Sequence, residues 1–279
     1  MQIARSIAEL RVARRDAPSP VGLVPTMGAL HDGHLSLVER ARAECATVVS
    51  SLFVNPTQFG PGEDFNRYPR DEARDAALLE RAGVALLFAP SVEEIYPDGS
   101  ATTVRPGGIT ERLEGAYRPG HFDGMATVVT KLLNIVQPDR AYFGQKDAQQ
   151  LLVIRRLVRD LDLPVVVVGC PTVREADGLA LSSRNVYLSA EEREQALSLS
   201  RGLRRAQRAF ADGERDADRL RALVRALIEE QPLASIDYVS LADAATLDEL
   251  EVAAKSPALL SLAVRFGDTR LIDNVTLEP

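Results

Sequence analysis

Two of the chain's three histidines, His31 and His34, stand three residues apart in Pro25-Thr26-Met27-Gly28-Ala29-Leu30-His31-Asp32-Gly33-His34. The apolar run Val21-Gly22-Leu23-Val24 precedes this stretch, and the amphipathic run Leu35-Ser36-Leu37-Val38-Glu39-Arg40-Ala41 follows it. The order reads as a strand, a glycine-bearing turn and the first turn of a helix. A helix start offers unpaired backbone N–H groups and the positive end of its dipole. Gly28 and Gly33 would let a bulky anion come close to the backbone. Histidines at i and i+3 project from one side of the turn. The set suits a phosphate chain undergoing reaction, with imidazoles placed to meet developing charge. Packing roles stay open, and H-x-x-H is also half a metal site. Zinc, however, takes three or four ligands, and Cys45 and Cys170 show no C-x-x-C spacing.

Two further places carry chemistry. Lysine occurs only at 131, 146 and 255 among 33 basic residues, so a lysine kept at 146 is a compact point charge in an arginine-rich chain. Ser182-Ser183-Arg184 could grip phosphate through neutral and charge-assisted hydrogen bonds, although alone it reads more readily as a surface turn.

Apolar strand candidates at Gly22–Pro25, Thr47–Val54, Val84–Ala89, Arg140–Phe143 and Pro164–Gly169 position these residues. They alternate with helical stretches at Gly33–Glu44, Asp71–Ala82, Met125–Val136 and Ala148–Leu161. Continuously apolar strands alternating with helices predict a parallel sheet covered on both faces, with ligands at the carboxyl ends of the strands. The histidine turn, Asn55-Pro56-Thr57-Gln58 and Gly144-Gln145-Lys146-Asp147 all fall at such ends. Past about residue 175 the texture changes. A capping box at Ser189 to Glu192 opens a helix to about Ala211, and a second helix is predicted from Asp216 to Glu229. Strands at Ile236–Leu241 and Ala258–Phe266 follow. We therefore expect domains at residues 1–174 and 175–279, the second a smaller α+β unit.

With 279 residues and 46% apolar content the chain can build a sizeable core. A net charge of −7 argues against nucleic acid, and Arg155-Arg156 and Arg204-Arg205 read as solvated helix faces. No run reaches the ~18 to 20 apolar residues of a membrane span. Two isolated cysteines and an N-terminus without an apolar signal core lead us to expect a cytoplasmic protein.

The stretches Val24–His34, Phe53–Gly60 with Glu63-Asp64 and Tyr68-Pro69-Arg70, and Leu113 to Phe122 resemble the pantoate–β-alanine ligase family. The resemblance continues through Thr127-Val128-Val129, Asp139–Gln150, Pro171–Asn185 and Arg265–Asn274, nearly end to end. It implies ATP-dependent joining of (R)-pantoate to β-alanine through pantoyl adenylate, with AMP and pyrophosphate released. It also implies a Rossmann-like first domain, a C-terminal lid, magnesium dependence and a homodimer. His31, His34, Lys146 and Arg184 would be catalytic. ATP would lie against Met27, Gly28, Ala29, Leu30, Asp32 and Gly33, against Gly144, Gln145 and Asp147, and against Val173, Leu181, Ser182 and Ser183. Gln58 and Gln150 would bind pantoate, their amides offering donor and acceptor to a hydroxy acid. Asn55, Tyr68, Arg118 and His121 would stand behind them, although Arg118 could instead pair Glu114 at i+4. Leu181 departs from the methionine common in the family. Two other readings remain: a different nucleotidylyltransferase that releases a lasting nucleotide-linked product, and a nucleotide sensor without chemistry.

Overall fold

The computed structural model describes residues 1–253 and 256–279, so Lys255 lies outside the described residues. Two compact units divide the chain. The first comprises Met1–Thr110, Arg118–Gln145 and Gln149–Pro171, and the second comprises Glu111–Tyr117, Lys146–Ala148 and Thr172–Pro279. The division is thus more than one cut near residue 174: two short segments of the N-terminal part ally with the C-terminal unit.

The first unit holds six strands: β1 (Gln2–Ala4), β2 (Val21–Thr26), β3 (Thr47–Leu52), β4 (Leu86–Phe88), β5 (Arg140–Gly144) and β6 (Val166–Cys170). All pair in parallel, in the order β1-β4-β3-β2-β5-β6. The connecting helices are α1 (Ile7–Arg15), α2 (Asp32–Glu44), α3 (Glu72–Arg81), α4 (Val92–Ile95), α5 (Glu114–Tyr117), α6 (His121–Val136) and α7 (Ala148–Asp160), with α5 in the second unit. This is the Rossmann-like α/β sheet expected. Val24, Leu37, Val38, Val48, Leu79 and Tyr142 pack together where α2 and α3 cover β2, β3 and β5.

Three differences from the sequence reading have local causes. The strand β1 is absent from that reading, because it has three residues and its first two are exposed. The helix α1 is absent from it too, although Ser6 and Glu9 form a full capping box at its start. The helix α6 begins four residues early, at His121, after Gly120 turns the chain at φ 81°.

The second unit places α8 (Ala190–Ala211) and α9 (Ala217–Glu229) on an antiparallel sheet of β7 (Ala234–Asp243), β8 (Ala258–Phe266) and β9 (Thr269–Leu277). Its core includes Leu199, Leu203, Leu220, Val224, Ile228, Leu260, Val264 and Phe266. The strand β9 goes beyond the sequence reading. Arg270, Asp273 and Asn274 give it a polar texture, and each has its partner far away in sequence. Arg270 forms a forked pair with Glu114 at 2.6 and 2.8 Å and reaches Asp237 at 2.6 Å. The Tyr238 hydroxyl donates to Glu114 at 2.9 Å. Burial opposes the Arg270 charge, but the hydrogen bonds and charges of Glu114 and Asp237 outweigh it and raise the Arg270 pKa. Glu114 therefore does not pair Arg118; its partners Arg270 and Tyr238 fasten α5 to the second unit's sheet.

This cluster yields a stability prediction. Arg270→Met would leave the buried Glu114 without its cation, and the half-buried Asp237 with only Arg265 at 3.4 Å, a loss of about 3 kcal/mol. Urea unfolding should show that loss as a lower midpoint, and adding Glu114→Gln should recover part of it. A midpoint unchanged by Arg270→Met would contradict this account of the cluster.

Candidate active site

Where β2 ends, the chain must turn sharply to start α2. Gly28 does so at φ 88° and Ala29 follows at φ 51°. An alanine in this left-handed region costs roughly 1 kcal/mol, so the turn needs an outside hold. Asp75 of α3 supplies it. The Ala29 N–H donates to Asp75 Oδ2 at 2.8 Å and the Leu30 N–H to Oδ1 at 3.0 Å. These two amides thus face protein, and the space beside Gly28 is taken by Leu52 and Asp75.

His31 is the N-cap of α2, and its Nδ1 accepts the Gly33 N–H at 3.1 Å. With Nδ1 accepting, the ring's N–H is on Nε2. The His31 and His34 rings lie side by side, 4.2 Å between centroids and tilted by 37°. Asp32 is exposed at the helix start. The strand order reverses at β2, which has β3 on one side and β5 on the other. The turn after β2 and Gly144-Gln145 after β5 therefore leave from neighbouring strands, the place where open parallel sheets bind ligands.

The same unit assembles a polar cluster beside Met27. The Gln58 side chain is buried, its Nε2 3.2 Å from Met27 Sδ and its Oε1 accepting from Asn55 Nδ2 at 3.0 Å. Asn55 also donates to the Gly124 carbonyl at 3.1 Å and accepts from the Tyr96 hydroxyl at 2.9 Å. Gly124 is required there: a Cβ would sit 2.2 Å from the Thr57 carbonyl oxygen. His121 Nδ1 lies 2.8 Å from the Gln58 carbonyl and its Nε2 3.1 Å from Arg118 Nη1. Arginine only donates, so Nε2 accepts and the Nδ1–H donates to the Gln58 carbonyl. Arg118 in turn forks onto Glu63, both contacts at 2.7 Å. Tyr68 is buried edge-on to Phe59. Gln150 is half-buried in the first turn of α7, while the adjacent Gln149 is committed to the Ile109 carbonyl at 2.7 Å.

The residues of the second unit that the sequence reading assigns to phosphate lie on segments tied to β9. Asn274 Nδ2 donates to the Lys146 carbonyl at 2.7 Å, which fixes the backbone from which that lysine extends. Arg174 forks onto the buried Asp273 at 2.6 and 2.8 Å. A hairpin then runs from Val173 to Leu181, closed by the Leu181 N–H to the Val173 carbonyl at 3.0 Å. The side chain of Leu181 is half-buried, and its backbone holds the hairpin. Ser182 caps a short 3-10 turn over Ser183–Tyr187, its hydroxyl oxygen accepting the Arg184 N–H at 3.2 Å. That leaves the hydroxyl proton of Ser182 for an anion. Asp147 is exposed.

In the first unit the structure thus sets Met27 against Gln58 and His31 against His34, and in the second it ties the Lys146 backbone to Asn274, Leu181 to Val173 and Arg184 to Ser182. Asp75, Glu63, Asn274 and Asp273 escape the sequence reading. Each acts through backbone or a partner dozens of residues distant. No group of three or more His, Cys, Asp or Glu among the described residues is arranged to hold a metal ion. No helix among them is long and apolar enough to cross a membrane.

Known proteins are similar to the chain over nearly its whole length. The family described as pantoate-beta-alanine ligase matches residues 2–276. The pantothenate synthetase of Roseiflexus sp. (strain RS-1) is 61% identical over 278 residues, covering 100% of both chains. That of Chloroflexus aurantiacus is 60% identical over 100% of this chain and 99% of its own. Pantothenate synthetase from Thermus thermophilus superposes with a TM-score of 0.95 at 53% identity, covering 100% of each chain. Pantoate-beta-alanine ligase from Francisella tularensis, solved with beta-gamma ATP and beta-alanine, gives 0.82 at 37% identity over 99% of this chain and 97% of its own.

The Glu63–Arg118 fork gives a pH prediction. Burial pushes the Glu63 carboxyl up, but the hydrogen bonds and charge of Arg118 outweigh it and hold the group below the usual carboxylate range. Such a group adds stability that is fully present above its unfolded value, ~4.3, and is lost as pH falls through the lower folded value. Glu63→Gln should remove that contribution, so its melting temperature should fall less steeply than the wild type's below about pH 4. Parallel melting curves for the two proteins would show that the fork carries no such linkage.

Proposed function

The chain belongs to the pantoate–β-alanine ligase family, and on that premise we propose that it condenses (R)-pantoate with β-alanine, ATP being split to AMP and pyrophosphate through a pantoyl-adenylate intermediate. The observation that carries the reading is the imidazole pair at the start of α2, His31 as its cap and His34 against it, at the strand-order reversal, with Gln58 held against Met27 in the same unit. The pantoate carboxylate attacks the α-phosphorus of ATP and pyrophosphate leaves. The β-alanine amine then attacks the acyl carbon, loses its proton to solvent or to the departing AMP, and expels AMP.

A carboxylate is already a nucleophile, so the first step needs stabilisation of charge at phosphorus and on the departing pyrophosphate more than it needs a base. His31 through Nε2–H and His34 would meet the phosphates from the first unit. Lys146, Ser182, Ser183 and Arg184 would hold the triphosphate from the second, which would act as a lid. Gly144, Gln145, Asp147, Val173 and Leu181 would take the adenosine end, with Asp147 accepting from ribose hydroxyls. Gln58 and Gln150 would bind pantoate, and Arg118, through His121, would hold the Gln58 carbonyl in place. Magnesium would arrive on the ATP phosphates, as magnesium does where the protein offers few carboxylates. The protein would work as a cytoplasmic homodimer.

A product assay with ATP, magnesium, pantoate and β-alanine tests the reading: it should yield pantothenate, AMP and pyrophosphate in equal amounts. ADP and phosphate as products would refute it. Lys146→Ala and His34→Ala should fold normally by circular dichroism yet lose about 10²- to 10³-fold in single-turnover adenylate formation. A normal first step with a slow second one would place the residue with the amine instead.

A further inference from the structure

Successive backbone N–H groups in a tight turn can face a common point, and such concavities bind anions in many proteins. In the turn after β2 that concavity is already filled. The Ala29 and Leu30 N–H groups each take one oxygen of Asp75, at 2.8 and 3.0 Å. Asp75 is only 1% exposed, although it lies in the first turn of α3, where acids commonly face water. Its neighbour Arg74 completes the grip. Nη1 lies 3.2 Å from Asp75 Oδ1, and Nη2 donates to the Leu30 carbonyl at 3.1 Å. Both backbone polar groups of Leu30, the residue before the His31 cap, are therefore held from α3.

We propose that Asp75 is a positioning residue for the reaction: an internal carboxylate that occupies the turn's anion nest, so that phosphate cannot, and thereby fixes the direction from which His31 and His34 meet it. The inference rests on the function proposed above. Were the nest open, the triphosphate would have backbone amides at Ala29 and Leu30 competing with the imidazoles a few residues on. With Asp75 in place, phosphate recognition passes to side chains that answer to developing charge. The turn also becomes rigid without spending a ligand contact. Asp75 touches no substrate in this account, so its removal should act on rate more than on ATP binding.

The test compares the wild type with Asp75→Asn and Asp75→Ala. Asp75→Asn replaces one acceptor oxygen by an NH2 group facing a backbone N–H. It should slow single-turnover adenylate formation by about 10²-fold while KM for ATP changes only a few-fold. Asp75→Ala should be slower still and should regain at least about tenfold on addition of formate, whose two oxygens can enter the vacated nest. Inorganic phosphate should inhibit Asp75→Ala more strongly than the wild type, by entering the same place. Amide hydrogen exchange gives a readout independent of the reaction. Ala29 and Leu30 should be protected in the wild type and exchange faster in Asp75→Asn. A folded Asp75→Asn with a wild-type first step would overturn the proposal. So would a slow variant with unchanged exchange and no rescue by formate, since Asp75 would then act on the reaction itself. Should neither variant fold, wild-type protection at the two amides decides alone, and exchange as fast as in open loops would overturn the latch. A wild type that makes no pantoyl adenylate would instead undo the functional reading.

Discussion

A parallel sheet whose strand order reverses at β2 obliges the loops after β2 and β5 to leave from neighbouring strands. Much of the first unit can be understood as furnishing that opening. The turn after β2 has to pass from an extended strand into a helix within a few residues, which forces Gly28 and Ala29 into left-handed backbone. Such a turn is not self-supporting. It is held by Asp75 from α3, and α3 is itself packed through Leu79 into the core shared with Val24 and Val38. On the far side, Gly124 allows the Asn55–Gln58 turn to lie directly on α6, which sets Gln58 against Met27. Packing, strain and site geometry in this unit are one arrangement.

The second unit solves a different problem, since it must hold segments that the chain order scatters. Its sheet does so through ion pairs and hydrogen bonds. Glu114 is drawn onto Arg270 and Tyr238, the Lys146 backbone onto Asn274, and Arg174 onto Asp273. Buried pairs of this kind contribute little net stability over well-packed apolar residues, but they penalise any arrangement in which one partner is missing. That is what a unit assembled from three stretches of chain requires. It also accounts for a strand as polar as β9.

What could be read in the sequence was local. The strand, turn and helix around His31, the capping box at Ser189 and the βα alternation all lie within windows of a dozen residues, where periodicity and caps act. The residues that escape are those whose partners are remote or are backbone. Asp75 in the sequence is one more acid in a helical first turn, and its partners are two amides 46 and 45 residues upstream that leave no side-chain trace. Glu63 meets Arg118 across 55 residues, whereas Glu114 at i+4 is the nearer and wrong candidate. The α1 capping box is legible at Ser6 and Glu9, but no strongly apolar stripe follows it to mark a helix. The transfer of residues 111–117 and 146–148 to the second unit has no local signature at all.

The central claim is that the phosphate-directed residues serve an adenylation that precedes the amine. Labelled pyrophosphate exchange into ATP tests it most directly. With enzyme, magnesium, ATP and pantoate present and β-alanine absent, the account predicts steady exchange that depends on pantoate, because the first half-reaction must run and reverse on its own. No exchange until β-alanine is added would contradict it.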